Sequence, residues 1–224
     1  MNEILTRLIE AEYKAFELFD EAARRGLIVG GKTEKEVSNE IFDLAEEMFG
    51  IDKYWHKRIV RAGENTLCPY DDNPLDLTIK DDDIVFLDLG PIFDEFEADV
   101  GRTYVIGNDP AKHKIAADIE TAWHEMRDEI LSHASISGAD CYEIAVRSVA
   151  KYGWDYGIEI AGHLVGHFPH ERLPKGEKGL YMHRDNPNDI FAPAADGSTR
   201  HWILELQFVD RERKIGSFYE QLLR

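Results

Sequence analysis

The chain has 224 residues, with 26 lysines and arginines against 44 aspartates and glutamates, a formal net charge of −18. Apolar residues make up 43% and charged residues 31%, the balance of a globular protein rather than a disordered or fibrous one. The negative charge repels phosphate backbones and anionic lipid, the longest basic runs are dipeptides such as Arg24-Arg25, and no apolar run approaches the ~18 residues of a membrane span, so nucleic acid and membrane are excluded as partners. The start at Met1 has neither a basic nor an apolar stretch, so no signal peptide is expected. Cys68 and Cys141, without metal-type spacing, point to a reducing and therefore cytoplasmic setting.

In chain order, Leu5, Ile9, Phe16, Phe19 and Ala23 recur at helical spacing and Gly26 follows as a C-cap. Thr33 with Glu36 forms a capping box that opens a second helix along Val37, Ile41, Leu44 and Met48, which stops at Gly50. Strand-like sequence follows in 84–89 and 100–106. A second helix pair comes next. Asp109-Pro110 is an N-cap followed by proline, and Ile115, Ile119, Ala122, Met126 and Ile130 line one face behind it. Gly138 breaks the chain, Asp140 and Glu143 make a box-like start, and that helix ends near Gly153. Strand-like sequence returns in 202–209 and 215–223. The order predicts an α+β fold made of a duplicated unit of two helices and a β-hairpin, in a single domain over residues 1–224. The one long irregular stretch runs from Arg172 to Arg200 and includes Pro174 and Gly176. A segment of that length is a candidate lid, specificity wall or dimer contact.

Asp88 lies within the apolar strand Phe86-Leu87-Asp88-Leu89, where a charge is costly unless paired or bound to metal. Asp99 follows 11 residues later, and a hairpin closed at Phe93-Asp94 makes the two cross-strand partners. Glu205 and Glu220 repeat the arrangement around the polar turn 210–214. Carboxylates so placed stay ionised together only with a cation between them. Between the hairpins, His163, His167 and His170 put three of the nine histidines within eight residues. Four carboxylates and an imidazole make a hard donor set suited to two divalent ions such as manganese, iron, cobalt or zinc. Such ions can share a hydroxide that attacks a carbonyl.

At these residues the chain resembles the pita-bread metallopeptidases: methionine aminopeptidase, aminopeptidase P and prolidase. Their five ligands occur in the order Asp, Asp, His, Glu, Glu, matched here by Asp88, Asp99, His163, Glu205 and Glu220. The resemblance implies a pseudo-twofold fold around a curved antiparallel sheet, two bound metal ions and a peptide substrate. It also implies a proton-shuttle role for Glu205 and an oxyanion role for His170. The family's histidine after Gly63-Glu64-Asn65 is replaced by Cys68, Pro69 and Tyr70, and His56 upstream is a candidate substitute, with a surface or core role as the alternative. Phe218 stands where many prolyl-specific members have arginine, and the Glu205–Glu220 hairpin is short. The separate N-terminal domain of aminopeptidase P and prolidase is expected to be absent. These departures leave the ligands in place and bear on substrate choice, for which His56, His167 and Tyr70 are candidate contacts.

The implied activity is removal of an N-terminal residue, of the Xaa-Pro aminopeptidase kind, with prolidase and methionine aminopeptidase specificities as alternatives and a homodimer as a possible assembly. Another alternative is a catalytically silent peptide-binding scaffold on the same fold. Retention of all five ligands favours the enzyme.

Overall fold

A computed structural model of the chain describes residues 3–172 and 177–224. Its first half comprises α1 (Glu3–Arg24), α2 (Glu34–Phe49), β1 (Ile59–Ala62), a 3₁₀ turn (Gly63–Leu67), β2 (Ile84–Leu89), β3 (Ile92–Phe93), β4 (Phe96–Glu97) and β5 (Val100–Val105). Its second half comprises α3 (Pro110–Leu131), α4 (Gly138–Tyr152), β6 (Asp155–Tyr156), β7 (Ile160–Val165), β8 (Tyr181–His183), β9 (His201–Asp210) and β10 (Ile215–Leu222). Among the described residues no helix is long and apolar enough to cross a membrane.

The helix ends follow local chemistry. The Thr33 hydroxyl accepts from the Glu36 amide at 3.1 Å, and the Glu36 carboxylate accepts from the Thr33 amide at 2.7 Å, so the predicted capping box is formed. Gly50 closes α2 at φ 67°, a left-handed conformation that glycine adopts without strain. Asp109 caps α3 at the Ala111 amide, 2.8 Å away, and the predicted stripe from Ile115 to Ile130 is buried. The start of α4 differs from expectation. Its cap is Ser137, whose hydroxyl accepts from the Asp140 amide at 3.0 Å. Gly138 is the first helical residue and not a break. A Cβ there would stand 2.5 Å from the Asn186 side chain and 2.8 Å from the Tyr181 carbonyl, so the glycine serves close packing.

The predicted stripe of α1 is met in part: Phe19 is buried and Leu5, Ile9 and Phe16 pack against the core. The face that packs inward is Leu8, Ala11, Glu12, Ala15, Leu18, Phe19 and Ala22, while Ala23 is exposed. Glu12 belongs to that face because it serves the chain's other end. Its carboxylate accepts from the Leu222 amide at 2.8 Å and from the Arg224 guanidinium at 2.9 Å.

The main sheet runs β1-β2-β5-β10-β9-β7-β8, with β6 added against β9. Removing the short strands leaves three from each half in mirrored order, with β5 against β10 at the centre. This is the predicted duplication. Helices α1 and α2 pack with Val85, Leu87, Leu89 and Val100 of the first half. Helices α3 and α4 pack with Leu204, Leu206, Phe208 and Tyr219 of the second. The segment from Arg172 to Arg200 is not uniformly irregular. Pro174 and Gly176 lie outside the described residues, but beyond them β8 pairs with β7, and Leu180, Met182 and Ile190 enter the core around α3 and α4.

Replacing Glu12 with alanine leaves the Leu222 amide and Arg224 without this acceptor. The expected cost is about 1–3 kcal/mol, read as a lowered urea midpoint at unchanged slope. An unchanged midpoint contradicts the proposed tie between α1 and the chain end.

Candidate metal centre

Alternation along the strands decides which side chains leave the helix-packed face. Leu87 and Leu89 face α1 and α2, so Asp88 projects to the other side. Leu204 and Leu206 face α3 and α4, so Glu205 projects to that side too, and Tyr219 and Glu220 divide in the same way. Glu205 and Glu220 are direct cross-strand partners, as the hairpin midpoint predicted.

The first hairpin departs from its predicted register. Asp88 lies opposite Gly101, not Asp99. The chain reverses at Asp94-Glu95, with φ of 49° and 69°, and Phe93 pairs with Phe96. This turn lies one residue beyond the expected position, which moves the register by two. Asp99 therefore sits at the bend between β4 and β5. A Cβ at Gly101 would stand 2.4 Å from the Phe218 ring and 2.9 Å from Glu220 Cβ. The position opposite Asp88 and Glu220 thus has no room for a side chain.

Asp99 nevertheless joins the cluster through two imidazoles. His163, on β7, places Nε2 at 3.2 Å from Asp99 Oδ2 and 3.5 Å from Glu220 Oε1. His56 places Nε2 at 3.1 Å from Asp99 Oδ1 and 3.5 Å from Asp88 Oδ1. The Trp55 ring lies 4.5 Å from His56, 5.4 Å from His163 and 5.4 Å from His170, centroid to centroid. His170 is held by Glu97, whose Oε2 is 2.6 Å from Nδ1. Glu97 also accepts from the amides of Gly166 and His170.

Trp55 and Glu97 were not singled out from the sequence. A charged residue beside the Asp99 motif was a usable signal for Glu97, whereas nothing local marked Trp55. Tyr70 is half-exposed, with its ring 5.9 Å from that of His56. His167 is exposed and packs on Phe96, its Nε2 3.7 Å from Glu95.

Burial leaves this cluster electrostatically incomplete. Burial pushes Asp88 up to about 6 and Glu205 up to about 8, and it raises Glu220 well above the ordinary carboxylate range. Burial also works against charge on Asp99, but the charge of His56 and hydrogen bonds from His163 and His56 outweigh it and hold Asp99 at about 2. Burial opposes charge on His56 as well, yet Asp99 and Asp88 carry its pKa to about 9. Among the described residues, buried Glu205 Oε1 and Glu220 Oε2 have no hydrogen-bond partner. Oxygens of this kind suit a cation, and the mixed carboxylate–imidazole donors fit borderline divalent ions.

The sequence profile of metallopeptidase family M24 matches residues 3–194. The chain belongs to metallopeptidase family M24. The family match stops short of the hairpin that carries Glu205 and Glu220. Over 166 residues the chain is 28% identical to the Xaa-Pro dipeptidase of Pyrococcus furiosus, covering 73% of this chain and 47% of that one. It spans about half the length of the curated relatives it matches. The structure superposes on a dipeptidase from Pyrococcus horikoshii OT3 with a TM-score of 0.77 at 23% identity, covering 98% of this chain and 56% of that one. On the X-Pro aminopeptidase of Thermotoga maritima MSB8 the TM-score is 0.76 at 18% identity, with 98% and 57% covered. This M24 chain has the pita-bread fold.

Binding of a divalent ion requires the carboxylates ionised and the imidazoles neutral. Glu205, up at about 8, and His56, at about 9, hold protons at pH 7 in the metal-free protein. Binding therefore releases protons, and affinity rises as pH increases through that range. Calorimetric titration with Mn²⁺ in two buffers of different ionisation enthalpy measures the release. Heats independent of buffer contradict this electrostatic account.

Proposed function

We propose that this chain is a metal-dependent exopeptidase that cleaves the bond preceding proline near the N-terminus of a short peptide. Asp88, Asp99, His163, Glu205 and Glu220 hold two divalent ions, with manganese, cobalt, iron and zinc as the candidate metals. The observation that carries this reading is the convergence of these side chains around buried carboxylate oxygens that lack partners. Such ions supply Lewis-acid polarisation of a carbonyl and acidify water at neutral pH.

The chain's own residues divide the remaining work. Glu205, a buried carboxylate of the donor set, is the candidate for taking and returning the proton. Glu97 engages His170 at Nδ1, which leaves Nε2 as the ring atom available to the reacting carbonyl oxygen, as a donor when the ring carries both protons. Ile59, Phe86 and Phe218 pack together with Ile158. Ile59 lies opposite Asp88, and Phe86 and Phe218 are two residues before Asp88 and Glu220 on the same strands. This apolar wall beside the carboxylates suits a proline ring, and the relatives named Xaa-Pro dipeptidase support the same specificity.

A panel of dipeptides and tripeptides under Mn²⁺, Co²⁺ and Zn²⁺ tests the proposal. The expected result is chelator-sensitive cleavage before proline and little before alanine. Cleavage of Xaa-Pro tripeptides but not Xaa-Pro dipeptides assigns the aminopeptidase P type, and the reverse assigns the prolidase type. Metal-loaded protein that cleaves no peptide favours the silent scaffold. His170→Ala is expected to lower kcat by about 10²–10³-fold with metal content unchanged. Loss of metal in that variant contradicts the role given to His170.

A further inference from the structure

The five-residue donor set contains one imidazole, His163. The structure brings a second into an equivalent position. His56 Nε2 stands 3.1 Å from Asp99 Oδ1 and 3.5 Å from Asp88 Oδ1. On the other side of the same aspartate, His163 Nε2 stands 3.2 Å from Asp99 Oδ2 and 3.5 Å from Glu220 Oε1. Asp99 thus turns one oxygen to each imidazole. Donor atoms held ~2.0–2.2 Å from one ion are themselves roughly 3.0–3.5 Å apart in tetrahedral or octahedral surroundings. Both triads have the spacing of a coordination shell.

The ring of His56 is set for ligation rather than for contact with a transient substrate. Its Nδ1 lies 2.7 Å from the Lys57 carbonyl oxygen, to which it donates, so Nε2 is the nitrogen left to bind an ion once its proton is released. His163 uses the same device, with Nδ1 at 3.0 Å from the Leu164 carbonyl oxygen. The His56 side chain is only 6% exposed. Gly90 makes its place, since a Cβ there would stand 2.3 Å from the imidazole ring. Trp55 braces it by donating from Nε1 to the Ala98 carbonyl at 3.0 Å and from its backbone amide to the Gly90 carbonyl at 2.9 Å. The unpartnered buried oxygens of Glu205 and Glu220 independently mark the pocket as a cation site.

We infer that His56 is a sixth protein ligand of the metal centre, sharing one divalent ion with Asp88 and Asp99, while His163 shares the other with Asp99 and Glu220. The inference rests on the proposed metal centre and extends it. It moves His56 from the candidate substrate contacts to the ligands, and it gives each ion one nitrogen donor. A nitrogen donor on both sides favours cobalt and zinc over manganese more than an all-oxygen half-site does.

The test is Co²⁺ titration of the chelator-stripped full chain, followed by calorimetry and by the visible spectrum of bound cobalt. The wild type is expected to take up two ions. In His56→Ala, one of the two should bind on the order of 100-fold more weakly or worse, since loss of an outer-shell partner alone costs about 10–100-fold. The cobalt spectrum should change with it, and added imidazole should restore it. His56→Gln, which preserves bulk, should show the same loss, and circular dichroism of the metal-free variants establishes that they are folded. Two ions bound at wild-type affinity with an unchanged spectrum in both variants overturn this inference alone. A wild type that binds no ion overturns the metal-centre reading and this inference with it.

Discussion

Four buried carboxylates converge in this molecule, and their mutual repulsion is the constraint around which the rest is arranged. Asp88, Asp99, Glu205 and Glu220 are each 2–7% exposed. Like charges so close and so buried are not all ionised without positive charge among them. His56 and His163 meet part of that need through Asp99, Asp88 and Glu220. Glu205 Oε1 and Glu220 Oε2 remain without partners. In the proposed metal centre divalent ions would complete the arrangement, and the fold of an M24 chain provides the sheet that holds the donors together against that repulsion.

The duplicated fold is mirrored in strand order but not in chemistry, and the asymmetry has a steric cause. Glu205 faces Glu220 across the second hairpin, while Asp88 faces Gly101 across the first. Because β5 and β10 meet at the centre with Gly101 opposite Glu220, side chains at both positions would collide. The carboxylate of the first half comes instead from Asp99, two residues earlier, beside Gly90. The absence of a Cβ at Gly90 admits the His56 ring. One close strand contact therefore accounts for the displaced aspartate, and one glycine for the access of a second imidazole.

Much of this was legible in the sequence because short-range rules governed it. The Thr33 and Asp109 caps, the α3 stripe and the Glu205–Glu220 pairing depend on residues close in the chain. The Asp88 register was not legible. Asp94-Glu95 adopts a left-handed turn without the Asn-Gly or Asp-Gly signature that announces one. The place of Glu12 on the inward face of α1 was not legible, because it is a charged residue made internal by Arg224 and Leu222, more than 200 residues away. The α4 cap lies three residues before the Asp140 start that the sequence predicts, because Ser137 caps the Asp140 amide. In the Arg172 to Arg200 segment, the alternation of Leu180 and Met182 was an available sign of β8. His56 was legible as a candidate near the site but not as a neighbour of Asp99, and Trp55 was not legible at all, because both reach the cluster through tertiary packing.

Anomalous diffraction from crystals of the zinc- or cobalt-loaded chain, recorded on both sides of the metal edge, tests the central claim most directly. The account predicts two peaks flanking the Asp99 carboxylate, one on the side of Asp88 and His56 and the other on the side of His163, within reach of Glu205 and Glu220. Loaded crystals with no anomalous peak among these side chains would contradict it.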